Sequence, residues 1–101
     1  MNMREIEKMQ QRLMKMQEEL ESTIFTGTAG GGAVTIAMNG KFELTAVEID
    51  PEAFNAEDIA ELEVMVLAAA KDAHTKATEA QQKMTSGLAG GLNLPNIPGL
   101  F

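Results

Sequence analysis

Cysteine is absent from this 101-residue chain, which excludes disulfides and thiolate metal sites and fits a reducing compartment. Tryptophan and tyrosine are absent too, and four phenylalanines are the whole aromatic complement. Hydrophobic residues reach 45%, but much of that is alanine, and eight residues are flexible methionine, so few large rigid side chains can fill a core. A chain this size forms one domain of marginal stability, and dimerisation is expected to supply the missing burial. His74 is the single histidine, with no Ser-Asp pattern beside it, so a nucleophilic triad has nothing to build on. It is expected at the surface, and the chain is expected to be non-enzymatic. Secretory features are lacking, because charged residues open the chain without an apolar stretch followed by small residues. Ser22 to Gly40 is long and uncharged, but its threonines and glycines are wrong for a membrane helix. A soluble, cytoplasmic protein is expected.

The net charge of −7 argues alone against a nucleic-acid binder. Its distribution qualifies that reading. Residues 1–16 hold Arg4, Lys8, Arg12 and Lys15 against Glu5 and Glu7, whereas Glu43 to Glu63 holds eight acids and no base.

The strongest local signal is a β-hairpin over Val34 to Pro51. Val34, Ile36 and Met38 alternate with polar or small residues before Asn39-Gly40, and Phe42 and Leu44 continue the alternation after it. Asn-Gly suits a tight type I′ turn. Beyond Leu44 the parity changes, as Val47 and Ile49 take the other phase. Either a bulge lies near Thr45 and Ala46, or both faces of that strand end are covered. Thr23 to Ala29 reads as a preceding strand that ends in Gly30-Gly31-Gly32. No Lys-Ser or Lys-Thr follows these glycines and a strand comes next, so a phosphate-binding loop fails on context. The result is a three-stranded antiparallel meander, roughly 23–29, 33–38 and 41–49. Val34, Ile36, Phe42, Leu44, Val47 and Ile49 are its candidate core and dimer residues.

Two long helices flank the meander, giving an α+β chain of order α-β-β-β-α. From Met3 to Glu21, Ile6, Met9, Leu13, Met16 and Leu20 recur at steps of three and four, an amphipathic seam. At about 100° per residue, Arg4, Lys8, Arg12 and Lys15 share a sector of roughly 80° beside that seam. The ridge is either a solvated flank or a phosphate-contacting surface. Asp50-Pro51 ends the third strand, and Asn55 is an N-cap candidate with Glu57 and Asp58 in the first turn. The second seam runs through Ile59, Leu62, Val66, Ala69, Ala73, Ala77, Ala80 and Met84. Its bulky half suits the sheet, and its alanine half suits close helix approach or a projecting segment. Gly87, Gly90 and Gly91 are expected to end it, leaving domain 1–87 and a Gly/Pro-containing flexible tail, 88–101. Glu48, Asp50 and Glu52 lack metal-loop spacing and read as solvent-facing acids. No metal, cofactor or small-molecule substrate is expected.

The order of these features resembles the YbaB/EbfC family of bacterial nucleoid-associated DNA-binding proteins. The Met/Gln-rich first helix from Met9-Gln10-Gln11 to Met14-Lys15-Met16-Gln17-Glu18-Glu19 carries the likeness. So do the Gly30 to Gly32 turn, Val34-Thr35-Ile36 with Asn39-Gly40, Val47-Glu48-Ile49-Asp50-Pro51, the alanine-rich helix, and Leu94-Pro95 with Pro98-Gly99. The resemblance implies a homodimer whose projecting helical arms grip duplex DNA with little or modest sequence preference, in the nucleoid. Its DNA contacts carry over onto Arg4, Lys8, Arg12 and Lys15, and onto Lys71, Lys76 and Lys83 of the last helix. Where family members often have consecutive basic residues, this chain has Asp72-Ala73-His74-Thr75-Lys76-Ala77-Thr78-Glu79. The competing reading is a protein-interaction adaptor that uses the helical seams and apolar tail without binding DNA.

Overall fold

The computed structural model describes residues 2–91, with side chains through 87. Helix α1 spans Met3–Ser22, strands β1, β2 and β3 span Phe25–Ala29, Val34–Met38 and Leu44–Ile49, and helix α2 spans Ile59–Gly91. The expected order is observed, and the strands form an antiparallel sheet in the order β1-β2-β3. The molecule is elongated, 65 × 27 × 16 Å with a radius of gyration of 18.7 Å, against about 13 Å for a compact chain of this length.

Local chemistry sets the helix starts. The Asn2 side chain accepts from Glu5 N–H at 2.9 Å and caps α1. Before α2, a 3₁₀ turn at Ala56–Asp58 is fixed by Asp58, whose carboxylate accepts from Asn55 N–H at 2.9 Å. Of the three glycines expected to end α2, Gly87 lies inside the helix, which runs on to Gly91. A single glycine costs a helix only about 1 kcal/mol and does not by itself end one. The boundary expected at 87 thus falls inside α2, and 92–101 lie outside the described residues.

The hairpin departs from the expected two-residue turn. Asn39 N–H donates to Glu43 O at 3.0 Å and Phe42 N–H donates to Asn39 O at 3.1 Å, closing a loop of Gly40, Lys41 and Phe42. Asn39 Oδ1 accepts from the amides of Lys41 and Glu43. The left-handed residue is Phe42, with φ 64, as a three-residue loop with its bulge requires. Gly40 serves a different need. A methyl group there would overlap the Leu20 carbonyl, so the glycine lets the last turn of α1 lie on the loop.

The bulge expected near Thr45 is present. Ala37 pairs with Ala46 and Met38 with Leu44, leaving Thr45 as the extra residue. That shift puts Leu44, Val47 and Ile49 opposite Met38, Ile36 and Val34, on one face of the sheet. Helix α2 packs across β1 and β2 on this face and leaves β3 uncovered. Val34 and Ile36 are fully buried with Ala69, while Met38 is buried with Ala73 and Ala77. Ala69, Ala73 and Ala77 of the alanine seam therefore lie on the sheet, because Gly27 of β1 has no side chain to hold the helix away, while Met84 farther along shares a groove with Leu20 of α1. Of the six expected core positions, Phe42, Leu44, Val47 and Ile49 are not in the core of the single chain. They are 37%, 58%, 52% and 41% exposed.

Candidate nucleic-acid interface

No residue of α1 is buried. Met9, Leu13, Met16 and Leu20 are half-buried, and the residues between them are exposed. Near its C-terminal end the helix lies beside α2, where Gln17, Leu20 and Glu21 share a groove with Gly40, Lys41, Gln81, Met84 and Thr85. Gln81 Nε2 also donates to Gly40 O at 3.0 Å. The rest of α1 extends from this anchorage as an arm.

Arg4, Lys8, Arg12 and Lys15 are all exposed on that arm. The helical rise of about 1.5 Å per residue spreads them over roughly 17 Å, about half a turn of duplex. Among the described residues, the one ion pair lies elsewhere, between Lys76 and Asp72. The ridge cations are thus brought together on one helix face, each with its charge turned to solvent.

The three lysines of α2 are not brought together. Lys71 is exposed on the rim of an apolar groove lined by Met38, Phe42, Leu44, Ala70, His74 and Thr75, and Lys83 is exposed farther along the helix. Lys76 is engaged, since its Nζ donates to Thr26 O at 2.8 Å and lies 3.3 Å from Asp72 Oδ2. Asp72 accepts from Thr28 N–H at 3.1 Å. That hydrogen bond, followed by the one from Lys76, holds the Asp72 carboxyl below its ordinary pKa of 3.8.

His74 is exposed, with its ring centroid 4.9 Å from that of Phe42 and tilted by 36°. Glu48 and Asp50 border a shallow depression with Gly32, Thr35, Val47 and Ile49. Asp50 Oδ1 is used locally, accepting from Glu52 N–H at 2.9 Å. No metal-binding cluster of His, Cys, Asp or Glu occurs among the described residues, and no helix there is long and apolar enough to cross a membrane. One cation escaped the sequence reading. Lys41 stands at the root of the arm, between α1 and α2, and assigning it to a strand concealed that position. The signal available was its isolation as the one base between Lys15 and Lys71.

A profile of the YbaB/EbfC DNA-binding family matches residues 1–92. A nucleoid-associated protein of Dictyoglomus thermophilum is 48% identical over 99 residues, covering 98% of this chain and 93% of that one. Another, from Pelotomaculum thermopropionicum, is 42% identical, covering 98% and 91% respectively. Among solved structures, that of HP0035 from Helicobacter pylori has a similar fold, with a TM-score of 0.66 at 24% identity. The likeness covers 82% of this chain and 96% of that one.

Proposed function

The chain belongs to the YbaB/EbfC DNA-binding family, and on that premise we propose that it grips duplex DNA as a homodimer through paired α1 arms. It is a non-enzymatic, nucleoid-associated protein, and in this reading it has little or modest sequence preference. Arg4, Lys8, Arg12 and Lys15 contact phosphates, which position a protein without reading bases. Lys71 and Lys83 add weaker contacts.

The observation that carries this reading is a charge pattern that opposes the stability of its own helix. Arg4 lies in the first turn of α1, and the last turn holds acids and no base. Charges placed against the helix dipole cost about 0.3–1 kcal/mol each at exposed ends. Glu5 alone complements the dipole in the first turn. A solvated flank has no use for such an arrangement, whereas a phosphate-binding arm does. Arg4→Glu should therefore separate stability from function. Amide exchange in the first turns of α1 should slow about twofold, the effect of roughly 0.5 kcal/mol, while affinity for duplex falls. An unchanged affinity would remove Arg4 from the contact set.

The dimer rests on Leu44, Val47 and Ile49, an exposed apolar row beside α2. We assign it to a second copy, because the buried core consists of two clusters of only three buried residues each and a chain this short gains most from shared burial. The test is binding to a mixed-sequence labelled duplex across salt concentrations, with the protein's mass measured in parallel. A dimer that presents eight ridge contacts should give a slope of log K against log salt of about −7. Val47→Asp should yield a monomer with about half that slope. A wild-type monomer that binds no duplex even at low salt would overturn both assignments and leave the apolar row to another protein, as an adaptor requires.

A further inference from the structure

Between Glu21 and Lys41 the chain carries no charge and no proline. The first two strands therefore bring none of the side chains that ordinarily blunt a free sheet edge. Strand β2 is flanked on both sides, but β1 is an edge. Its sequence, Phe-Thr-Gly-Thr-Ala, gives a second copy no charge to repel it. Two such strands placed antiparallel would set threonine beside threonine, a favourable cross-strand pair.

The exposed side of β1 is occupied from elsewhere. Thr28 N–H donates to Asp72 Oδ2, and Thr26 O accepts from Lys76 Nζ. An antiparallel ladder turns both backbone groups of alternate residues outward, so Thr26 and Thr28 hold the docking groups that an added strand needs. The two bonds reach across 44 and 50 residues of sequence, which makes them products of the packed fold and not local caps. Asp72 and Lys76 are one helical turn apart and pair with each other, so each holds the other over the strand.

We propose that Asp72 and Lys76 form a charged seal on the β1 edge, which keeps a second copy of this chain from adding its own β1 there. The seal gives Lys76 a role separate from DNA contact. It is also independent of the dimer assigned to β3, since it acts on the opposite edge of the sheet.

The test compares full-length Asp72→Ala/Lys76→Ala with wild type by sedimentation velocity over a concentration series, with circular dichroism to verify folding. Wild type should keep one mass throughout. The variant's mass should rise with concentration by roughly a doubling or more, as each unit adds to another. Thr28→Pro introduced into that variant should restore the wild-type mass, because proline removes the outward donor and is tolerated on an edge strand. A folded double variant that keeps the wild-type mass overturns the seal. So do larger assemblies that persist with Thr28→Pro, since they use another surface. Should the double variant unfold, Lys76→Met keeps the aliphatic stem and carries the same comparison. Lys76→Met should also leave the salt slope for DNA unchanged, and a fall of about one per lost contact would assign the lysine to DNA and overturn the seal.

Discussion

Gly27→Ala should unseat α2 from the sheet and lower the melting temperature by roughly 15 °C. A methyl group at this position would overlap the Ala69 carbonyl oxygen and the Ala73 amide nitrogen, and would lie 3.0 Å from Ala73 Cα. All three are backbone atoms of a helix, so no rotamer change relieves the overlap. The helix has to lift, and Ala69, Ala73 and Ala77, which are fully buried, lose their fit against β1 and β2. Overpacking a tight core costs about 1–3 kcal/mol and sometimes more. Here the rigid neighbours place the cost near the upper end, and at roughly 4–8 °C per kcal/mol for a domain of this size the shift follows.

Gly31→Ala supplies the contrast. Gly31 has φ 68 and open space around its missing side chain, so alanine there meets only the left-handed penalty of about 1–2 kcal/mol. Thermal melts of the two variants separate steric from conformational need. If Gly27→Ala melts within a few degrees of wild type, the close approach of α2 to β1 is wrong. Shrinking Ala69 or Ala73 to glycine should not rescue Gly27→Ala, since the overlapping atoms are not in their side chains.

What could be read from the sequence was whatever depends on neighbours in the chain. The alternation from Val34 to Met38 gave the central strand, and the parity change after Leu44 pointed to the bulge that leaves Thr45 unpaired. Asn55 and Asp58 marked the start of α2 through bonds three residues apart. What escaped depended on groups far apart in sequence. Asn39-Gly40 has the local signature of a two-residue turn, but Gly40 must accept the carbonyl of Leu20 against it, and the left-handed position moves to Phe42. The alanine seam could not declare its partner until Gly27 was placed beneath it. Leu44, Val47 and Ile49 carried the right face but not the fact that α2 stops short of it. Among the candidate site residues, the ridge of α1 was legible because helical spacing alone puts four cations on one sector. Lys76 was not, because its partner is the carbonyl of Thr26, fifty residues away.

Lys8→Glu with Arg12→Glu should abolish most DNA binding while leaving the fold intact. Both residues are exposed on an arm with no buried residue, so their replacement removes no packing. In the proposed dimer the pair occurs twice, and four phosphate contacts disappear. At 0.1 M salt each contact is worth about eightfold through counterion release, which makes the loss about three and a half orders of magnitude before any repulsion is counted. The salt slope should fall from about −7 to about −4, and the weakening should be uniform across duplex sequences, since phosphates carry no base information. The acidic middle of the chain does not cancel the ridge beforehand. At about 1.5 Å of rise per residue, Arg4 and Lys8 stand roughly 20 and 14 Å along the helix from the anchorage at Gln17, beyond one Debye length of about 10 Å at 0.1 M salt. Lys8→Arg with Arg12→Lys keeps both charges and should keep the slope, which distinguishes phosphate attraction from a geometric need for either side chain. If the charge-reversed protein binds with unchanged affinity and slope, the ridge makes no contact. The contacts then belong to the root of the arm, where Lys41 stands between the two helices.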